Sequence, residues 1–138
     1  MTTRPASPIT GIDHIAILVR DIDASLPYYR DVLGLAVVAD DVNEAAGVRL
    51  LYLDAGNLAI QLVSPFAAGA IAAALDEYGE GLHHVCFKVE EMSVAVGALA
   101  PAADVVVTRG GRNRLTCFLP DRPNGLIMEL TEIDEADD

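Results

Sequence analysis

Basic residues and long apolar runs are both scarce in this sequence. Lysine and arginine together number 9, against 21 aspartates and glutamates, so the formal net charge is −12 at pH 7. A charge of this sign repels nucleic-acid phosphates, which excludes a nucleic acid as partner. No segment approaches the roughly 20 consecutive apolar residues of a membrane span, which excludes a membrane partner. The first eight residues, MTTRPASP, lack the apolar core of a secretion signal.

Cysteines are equally few. Only Cys86 and Cys117 are present, and both fall in segments that we interpret as strands. Two thiols do not form the disulfide framework of a small secreted protein, so we expect both to be free and buried. We therefore predict a cytoplasmic protein. The 138 residues suffice for a single domain, and an apolar content of 52% predicts a well-filled interior with a buried subunit contact.

What the sequence does contain is an internal repeat. Residues 11–19 read GIDHIAILV, and residues 81–89 read GLHHVCFKV. Each stretch begins with glycine, has a histidine three residues later and continues as an apolar run that ends in valine. Further along, each half has a hairpin-like segment whose last strand carries one polar residue, Gln61 in LAIQLV and Glu129 in LIMEL. A repeat of this kind predicts a fold built twice from one unit.

Each unit is interpreted as one strand, one helix and three further strands. Predicted strands span 12–19, 35–39, 48–53, 58–63, 82–89, 104–108, 115–119 and 126–131, and helices span about 21–33, 69–78 and 91–99. The predicted class is α+β: two tandem βαβββ modules, about 10–66 and 80–132, form a curved, open eight-stranded sheet with helices outside. The hollow of this sheet is a cup. Residues 1–9 are predicted to be a loose leader, and 132–138 a solvated acidic tail.

Four polar side chains are predicted to meet in the cup. Alternation along the strands places His14, Gln61, His84 and Glu129 on its inner face and turns His83 away from it. A buried carboxylate such as Glu129, with no basic neighbour in its strand, needs a cation. Two imidazoles, one amide oxygen and one carboxylate suit Co²⁺, Mn²⁺, Ni²⁺, Fe²⁺ or Zn²⁺ and leave positions open for water or substrate. We therefore predict a divalent metal site.

A basic loop accompanies the predicted metal site. Arg109, Arg112 and Arg114 surround a Gly110-Gly111 pair between two predicted strands, at the rim of the cup. This position predicts contact with a substrate anion. The alternative is an ordinary solvated turn.

Five motifs resemble those of a known family: IDHIA at 12–16, DVLG at 31–34, GNLAIQL at 56–62, GEGLHHV at 79–85 and NGLIMEL at 124–130. Together they resemble the vicinal oxygen chelate superfamily of glyoxalase I, extradiol dioxygenases, fosfomycin-resistance proteins and methylmalonyl-CoA epimerases. The segment at 79–85 is most similar to the epimerases. The resemblance covers about residues 10–132. It implies paired βαβββ modules, a homodimer and a divalent metal held by the four residues named above.

The resemblance also implies an activity. This is epimerisation of an acyl-CoA such as methylmalonyl-CoA, by α-proton abstraction and a metal-stabilised enediolate, with Glu129 as ligand and base and the basic loop on the CoA phosphates. Some bacterial epimerases carry a second catalytic glutamate three residues after the glycine of a Gly-Val motif. Here that motif is Gly47-Val48, and Leu50 occupies the place; Glu44, in the preceding loop, is the substitute base. Because Leu50 replaces this glutamate, other functions remain open: a glyoxalase-like lyase or isomerase, a dioxygenase, or a small-molecule-binding resistance protein.

Overall fold

The computed structural model describes residues 6–133. Residues 1–5 of the predicted leader and 134–138 of the predicted acidic tail lie outside the described residues. The strands are β1 (Ile9–Leu18), β2 (Ala36–Asn43), β3 (Val48–Asp54), β4 (Ala59–Pro65), β5 (Gly81–Val89), β6 (Thr108–Arg109), β7 (Leu115–Phe118) and β8 (Ile127–Glu132). The α-helices are α1 (Ile22–Pro27), α2 (Ala70–Tyr78) and α3 (Met92–Leu99). Within residues 6–133, none of the helices has the length and apolar content needed to cross a bilayer.

All eight strands belong to one sheet, in the order β2-β3-β4-β1-β5-β8-β7-β6. β1 runs parallel to β4, and β5 runs parallel to β8. The two modules meet where β1 pairs antiparallel with β5. The strand order of one module is therefore mirrored in the other, and the first strand of each lies at the centre. The predicted α+β fold of two tandem βαβββ modules in a curved open sheet is confirmed.

Apolar side chains cover both faces of this sheet. On the helix side, Ile22 of α1 packs against Leu51, Leu53 and Leu62. In the second module, α3 packs against a matching cluster that contains Cys117 and Leu130. The cup side has an apolar floor of its own, formed by Ala16, Val48, Leu50, Tyr52 and Val63. Because the cup-side residues of the central strands are buried, a polar residue among them lies away from water and needs a partner inside the protein.

Local structure departs from the predicted elements in the first helix. Asp21 caps α1 as expected, because its carboxylate accepts from the backbone N–H groups of Asp23 and Ala24. The α-helix nevertheless ends at Pro27 instead of near residue 33. Proline has no N–H to continue the bonding pattern, and the chain proceeds as a π-helical turn over Tyr28–Val32.

Two predicted strand boundaries were also wrong. β2 continues to Asn43, through residues predicted as loop, because it stays paired with β3 as far as Asn43 opposite Val48. In the second module, the strand predicted over 104–108 is reduced to two residues. β7 offers only Thr116 and Leu115 as partners for β6, so the residues before Thr108 have no ladder to join. Both free cysteines are buried, as predicted.

Candidate metal and substrate site

The pairing of the central strands brings the predicted ligands together. Ala16 of β1 stands opposite Gln61 on one side and opposite His84 on the other. Cys86 of β5 stands in the same way between His14 and Glu129. A small residue in each middle position leaves space above the sheet. The duplicated register therefore directs two histidines, one amide and one carboxylate toward the same part of the cup.

Three of these side chains are in close proximity. Nε2 of His14 lies 3.3 Å from Nε2 of His84 and 3.3 Å from Oε1 of Glu129. Nε2 of His84 lies 3.1 Å from the same carboxylate oxygen. All three residues are buried, and one ligand atom from each falls within 4.8 Å of the others. This is the spacing of atoms that can share one ion.

Two buried oxygens test whether a cation fits here. Oε1 of Gln61 and Oε1 of Glu129 are buried and have no hydrogen-bond partner among the described residues. The amide of Gln61 is oriented by Nε2, which donates to the hydroxyl of Tyr52 at 2.8 Å. Buried oxygens without a donor are unfavourable, and a divalent cation would satisfy both. The set of two nitrogens and two oxygens thus fits the predicted metal.

The Nδ1 atom of each imidazole forms a hydrogen bond with the residue that precedes the histidine in the chain. Nδ1 of His14 donates to Oδ2 of Asp13 at 2.7 Å. Nδ1 of His84 lies 2.7 Å from Nδ1 of His83. Burial, followed by the charges of His84 and Arg122, lowers the pKa of His83 to about 4, so His83 is neutral and one of its ring nitrogens can accept. In the tautomer with Nδ1 unprotonated, His83 accepts from Nδ1–H of His84. These contacts orient the imidazoles of both candidate ligands with Nε2 directed at the centre of the site.

Sequence reasoning missed two side chains that contact the candidate ligands, Asp13 and His83. Asp13 was given no role, and His83 was wrongly predicted to point away from the cup. Both lie at register shifts of the β1–β5 pairing, Asp13 between Ile12 and His14, and His83 opposite the step from Ala16 to Ile17. At such a bulge the two-residue alternation fails and a side chain is re-aimed. The available signal was the repeat itself, which places a polar residue immediately before each histidine.

Asp13 is also the partner of two arginines from the basic loop. Nη2 of Arg112 contacts Oδ2 of Asp13, and Nη1 of Arg114 lies 3.1 Å from Oδ1. Burial of Asp13 favours a raised pKa, but hydrogen bonds from His14 and Arg112 outweigh it, and the pKa falls far below its ordinary value. Asp13 is therefore an ionised carboxylate inside the cup, balanced by cations that are distant in the sequence.

The three predicted substrate-binding arginines occupy different environments. Arg109 is exposed at the rim, where Nη1 donates to the carbonyl of Asn113 at 2.9 Å. Arg112 turns inward, and its guanidinium carbon lies 4.2 Å from the centre of the Tyr52 ring. Arg114 is held at Asp13. The basic loop is therefore not simply a solvated turn.

A cavity of about 420 Å³ opens beside this loop. The end of β2 and the following turn form one wall, which includes Glu44, and the loop from Arg109 to Asn113 forms another. Leu50 contributes to the floor. The candidate second base and two of the candidate substrate-binding arginines thus line one cavity. Glu44 itself is exposed.

A second group of potential ligands lies next to the first. Asp13, His14 and Cys86 also place one ligand atom each within 4.8 Å of one another. Burial raises the pKa of the Cys86 thiol well above its ordinary value, which keeps the sulfur protonated. Asp13 is already engaged by His14 and the arginines. The group of His14, His84 and Glu129, with Gln61 beside it, is therefore the better candidate.

Comparison with known proteins agrees with this geometry. Residues 13–118 match the family described as the Glyoxalase/Bleomycin resistance protein/Dioxygenase superfamily. The chain belongs to this superfamily. The resemblance predicted from the sequence motifs is confirmed, because similar proteins and structures are methylmalonyl-CoA epimerases. The superfamily match includes His14, Gln61 and His84 but ends before Glu129, which is placed by the parallel pairing of β8 with β5.

Relatives within the superfamily match over most of their length. An ethylmalonyl-CoA/methylmalonyl-CoA epimerase from Cereibacter sphaeroides is 30% identical over 133 residues, which cover 91% of this chain and 99% of that protein. The mitochondrial methylmalonyl-CoA epimerase of Homo sapiens is 25% identical over 145 residues, covering 95% and 82%. The uncharacterized protein YqjC of Bacillus subtilis is 30% identical over 127 residues, covering 88% and 91%.

Solved structures of the superfamily share the same arrangement. The methylmalonyl-CoA epimerase of Mycobacterium tuberculosis superimposes with a TM-score of 0.86 at 28% identity, covering 97% of this chain and 95% of that chain. A variant of the Streptomyces coelicolor methylmalonyl-CoA epimerase in complex with 2-nitronate-propionyl-CoA gives a TM-score of 0.81 at 31% identity, covering 92% and 96%.

Proposed function

We propose that this protein is a divalent-metal-dependent epimerase that inverts the α-carbon of an acyl-CoA thioester such as methylmalonyl-CoA. The observation that carries the proposal is the convergence of His14, His84 and Glu129 within 4.8 Å in the cup. The epimerase relatives, which match over nearly the whole chain, supply the substrate class. The homodimer and the cytoplasmic location stay predictions.

The metal would be held by His14, Gln61, His84 and Glu129. Co²⁺, Mn²⁺, Ni²⁺, Fe²⁺ or Zn²⁺ suits this mixed set of donors. When bound, such a cation would polarise a carbonyl oxygen of the substrate and stabilise the negative charge that develops as the α-proton leaves. Asp13 and His83 would keep the two imidazoles in the orientation that this role requires.

Inversion requires a proton acceptor or donor on each face of the α-carbon. Glu129 is one candidate. Burial favours a raised pKa for its carboxyl group, but protonated His14 and His84 outweigh this and lower the pKa to about 2, so that the carboxyl group is ionised at neutral pH. A bound cation would replace the positive charge of the two imidazoles. Glu129 would serve one face as base, and Glu44, on the wall of the cavity, would serve the other.

A spacing shared with one relative supports Glu44. The Streptomyces coelicolor epimerase has been crystallised with one glutamate replaced and, separately, with one glutamine replaced, and these two positions are seventeen residues apart. Glu44 precedes Gln61 by the same interval (61 − 44 = 17). The coincidence favours Glu44 over position 50, where Leu50 is buried in the apolar floor of the cup.

The test is proton exchange at the α-carbon. Purified protein loaded with Co²⁺ or Mn²⁺ should racemise one enantiomer of methylmalonyl-CoA and incorporate deuterium from ²H₂O at Cα, and a chelator should abolish both. Glu129→Gln should lose exchange and inversion together, because it removes a candidate metal ligand as well as one of the two bases. Glu44→Gln should retain exchange with one enantiomer while losing inversion, because only one face would keep its base. An absence of exchange with every metal named above would remove the proposed activity.

A further inference from the structure

The backbone of the basic loop is held in an uncommon conformation above the cup. Arg112 and Asn113 both have φ of 58°, in the left-handed region that residues with a side chain seldom adopt. The N–H of Arg112 donates to the Asp41 carboxylate at 2.6 Å. Gly111 approaches Tyr52 so closely that a Cβ there would clash with the hydroxyl oxygen. Conformations of this kind persist only where their surroundings fix them, and they concentrate at functional sites.

This backbone directs the Arg112 side chain toward the candidate metal ligands. Its guanidinium lies over the Tyr52 ring, and Nη2 contacts Oδ2 of Asp13. The same Oδ2 accepts from Nδ1 of His14. The Tyr52 ring lies 5.5 Å from the His14 ring, centre to centre, and its hydroxyl accepts from Gln61. Arg112 is thus linked to two of the four candidate ligands, to His14 through Asp13 and to Gln61 through Tyr52.

One donor of Arg112 is left over. Its Nε is buried and has no hydrogen-bond partner within the part of the chain that the structure describes. A buried N–H without an acceptor carries an energetic cost, and an acceptor atom of a bound ligand would remove that cost. Arg112 also lines the cavity that Glu44 shares. A guanidinium presents its N–H groups in a planar fork that matches a carboxylate.

From these contacts we infer that Arg112 recognises a free carboxylate on the substrate. The Nε–H would donate to a carboxylate oxygen while Nη2 remains on Asp13. The inference rests on the proposed function and narrows it, because it selects CoA thioesters of a dicarboxylic acid over those of a simple fatty acid. It also gives Arg112 and Arg109 different roles in substrate binding. Arg109, at the rim, remains the candidate for contact with the CoA phosphates.

The experiment compares two ligands that differ in one carboxylate. Dissociation constants of malonyl-CoA and acetyl-CoA are measured by calorimetry on protein loaded with Co²⁺ or Mn²⁺. Arg112→Gln should weaken malonyl-CoA binding by about 10- to 100-fold, the value of hydrogen bonds to a charged group, and should change acetyl-CoA binding little. Arg112→Lys keeps the charge without the fork and should fall between the wild type and Arg112→Gln.

Two further variants separate recognition from general damage. Arg30→Gln, which removes an exposed arginine paired only with its neighbour Asp31 in the described contacts, should leave both constants unchanged. Arg109→Gln removes a candidate phosphate contact that both ligands share. It should therefore weaken the binding of malonyl-CoA and acetyl-CoA equally and preserve the ratio of their dissociation constants. Thermal melts of the four variants identify any that are destabilised. If Arg112→Gln is destabilised, Arg112→Lys is used instead to obtain the ratio of the malonyl-CoA and acetyl-CoA dissociation constants.

The ratio of the two constants decides the inference. An unchanged ratio in Arg112→Gln, or a wild type that binds malonyl-CoA no more tightly than acetyl-CoA, would overturn it. A wild type that exchanges the α-proton of methylmalonyl-CoA while Arg112→Gln keeps the normal ratio would refute this inference and leave the proposed epimerase standing. Conversely, a carboxylate preference that depends on Arg112, without any proton exchange, would support carboxylate recognition and contradict the epimerase.

Discussion

Nδ1 of His14 lies 2.7 Å from Oδ2 of Asp13, the residue that directly precedes it. Neighbouring residues of a regular strand point to opposite faces and do not make such a contact. Here the contact forms because the β1–β5 register shifts between Ile12 and His14. The bond leaves Nε2 of His14 as the nitrogen directed into the cup. The orientation of a candidate ligand therefore depends on an irregularity of the sheet.

Replacing Asp13 should weaken metal binding. We expect Asp13→Asn to lower the affinity for Co²⁺ or Mn²⁺ by about 10- to 100-fold, the usual effect of losing the partner of a ligand histidine. Competition with a chromophoric chelator measures this affinity. Asp31→Asn, which changes an exposed aspartate that pairs with Arg30, is the matched control. Equal affinities in the two variants would contradict the role of Asp13.

The hydroxyl of Tyr52 should contribute measurably to stability. Tyr52→Phe would leave Nε2 of Gln61 without its acceptor in a buried position, at a cost of about 1–2 kcal/mol in the free energy of unfolding. Urea denaturation gives this value. Tyr78→Phe removes a hydroxyl from a side chain that is 74% exposed and should change little. If both variants unfold at the same urea concentration, the Gln61–Tyr52 hydrogen bond is not a stabilising contact.

The helix-side core of the first module should be sensitive to loss of volume. Leu62 is fully buried and packs among Ile22, Leu51 and Leu53. We expect Leu62→Ala to lower the free energy of unfolding by about 2–5 kcal/mol, because it removes buried methyl groups and leaves a cavity. Val94→Ala, at a helix position 58% exposed, should cost less than about 0.5 kcal/mol. The same urea transitions measure both, and similar losses would contradict the assigned packing.

A surface ion pair gives a prediction about pH. Nε and Nη2 of Arg49 donate to the two oxygens of Asp40, and these hydrogen bonds lower the pKa of Asp40. A carboxylate with a lowered pKa stabilises the fold above its unfolded pKa of about 3.9, and this contribution disappears as the pH falls through the folded pKa. Because the side chain is partly exposed, the contribution is only about 0.5 kcal/mol.

Asp40→Asn should therefore melt below the wild type at pH 7 and approach it near pH 3. Thermal unfolding followed by circular dichroism over this range tests the prediction. Asp121→Asn, at an exposed position between β7 and β8, provides the control for a general loss of negative charge. A difference between Asp40→Asn and wild type that stays constant down to pH 3 would show that the pair does not titrate as the structure requires.

The duplicated scaffold and the residues of the candidate metal site could be predicted from the sequence. Both follow from local rules. The repeat of glycine, histidine and an apolar run predicts two equivalent strands, because a short continuous apolar run is typical of a buried strand. Alternation of side chains then assigns His14 and Gln61, and their counterparts His84 and Glu129, to one face. None of this requires knowledge of contacts between distant residues.

The surroundings of those candidate ligands could not be predicted, because they depend on tertiary contacts. Asp13 and His83 became their supports because bulges in the β1–β5 pairing break the alternation on which a sequence prediction relies. Tyr52 faces Gln61 through the register of the β3–β4 hairpin. Arg112 reaches Asp13 across 99 positions of sequence only because the two modules close into one cup. Such contacts depend on how distant strands pair and curve, and local sequence preferences do not predict long-range pairing.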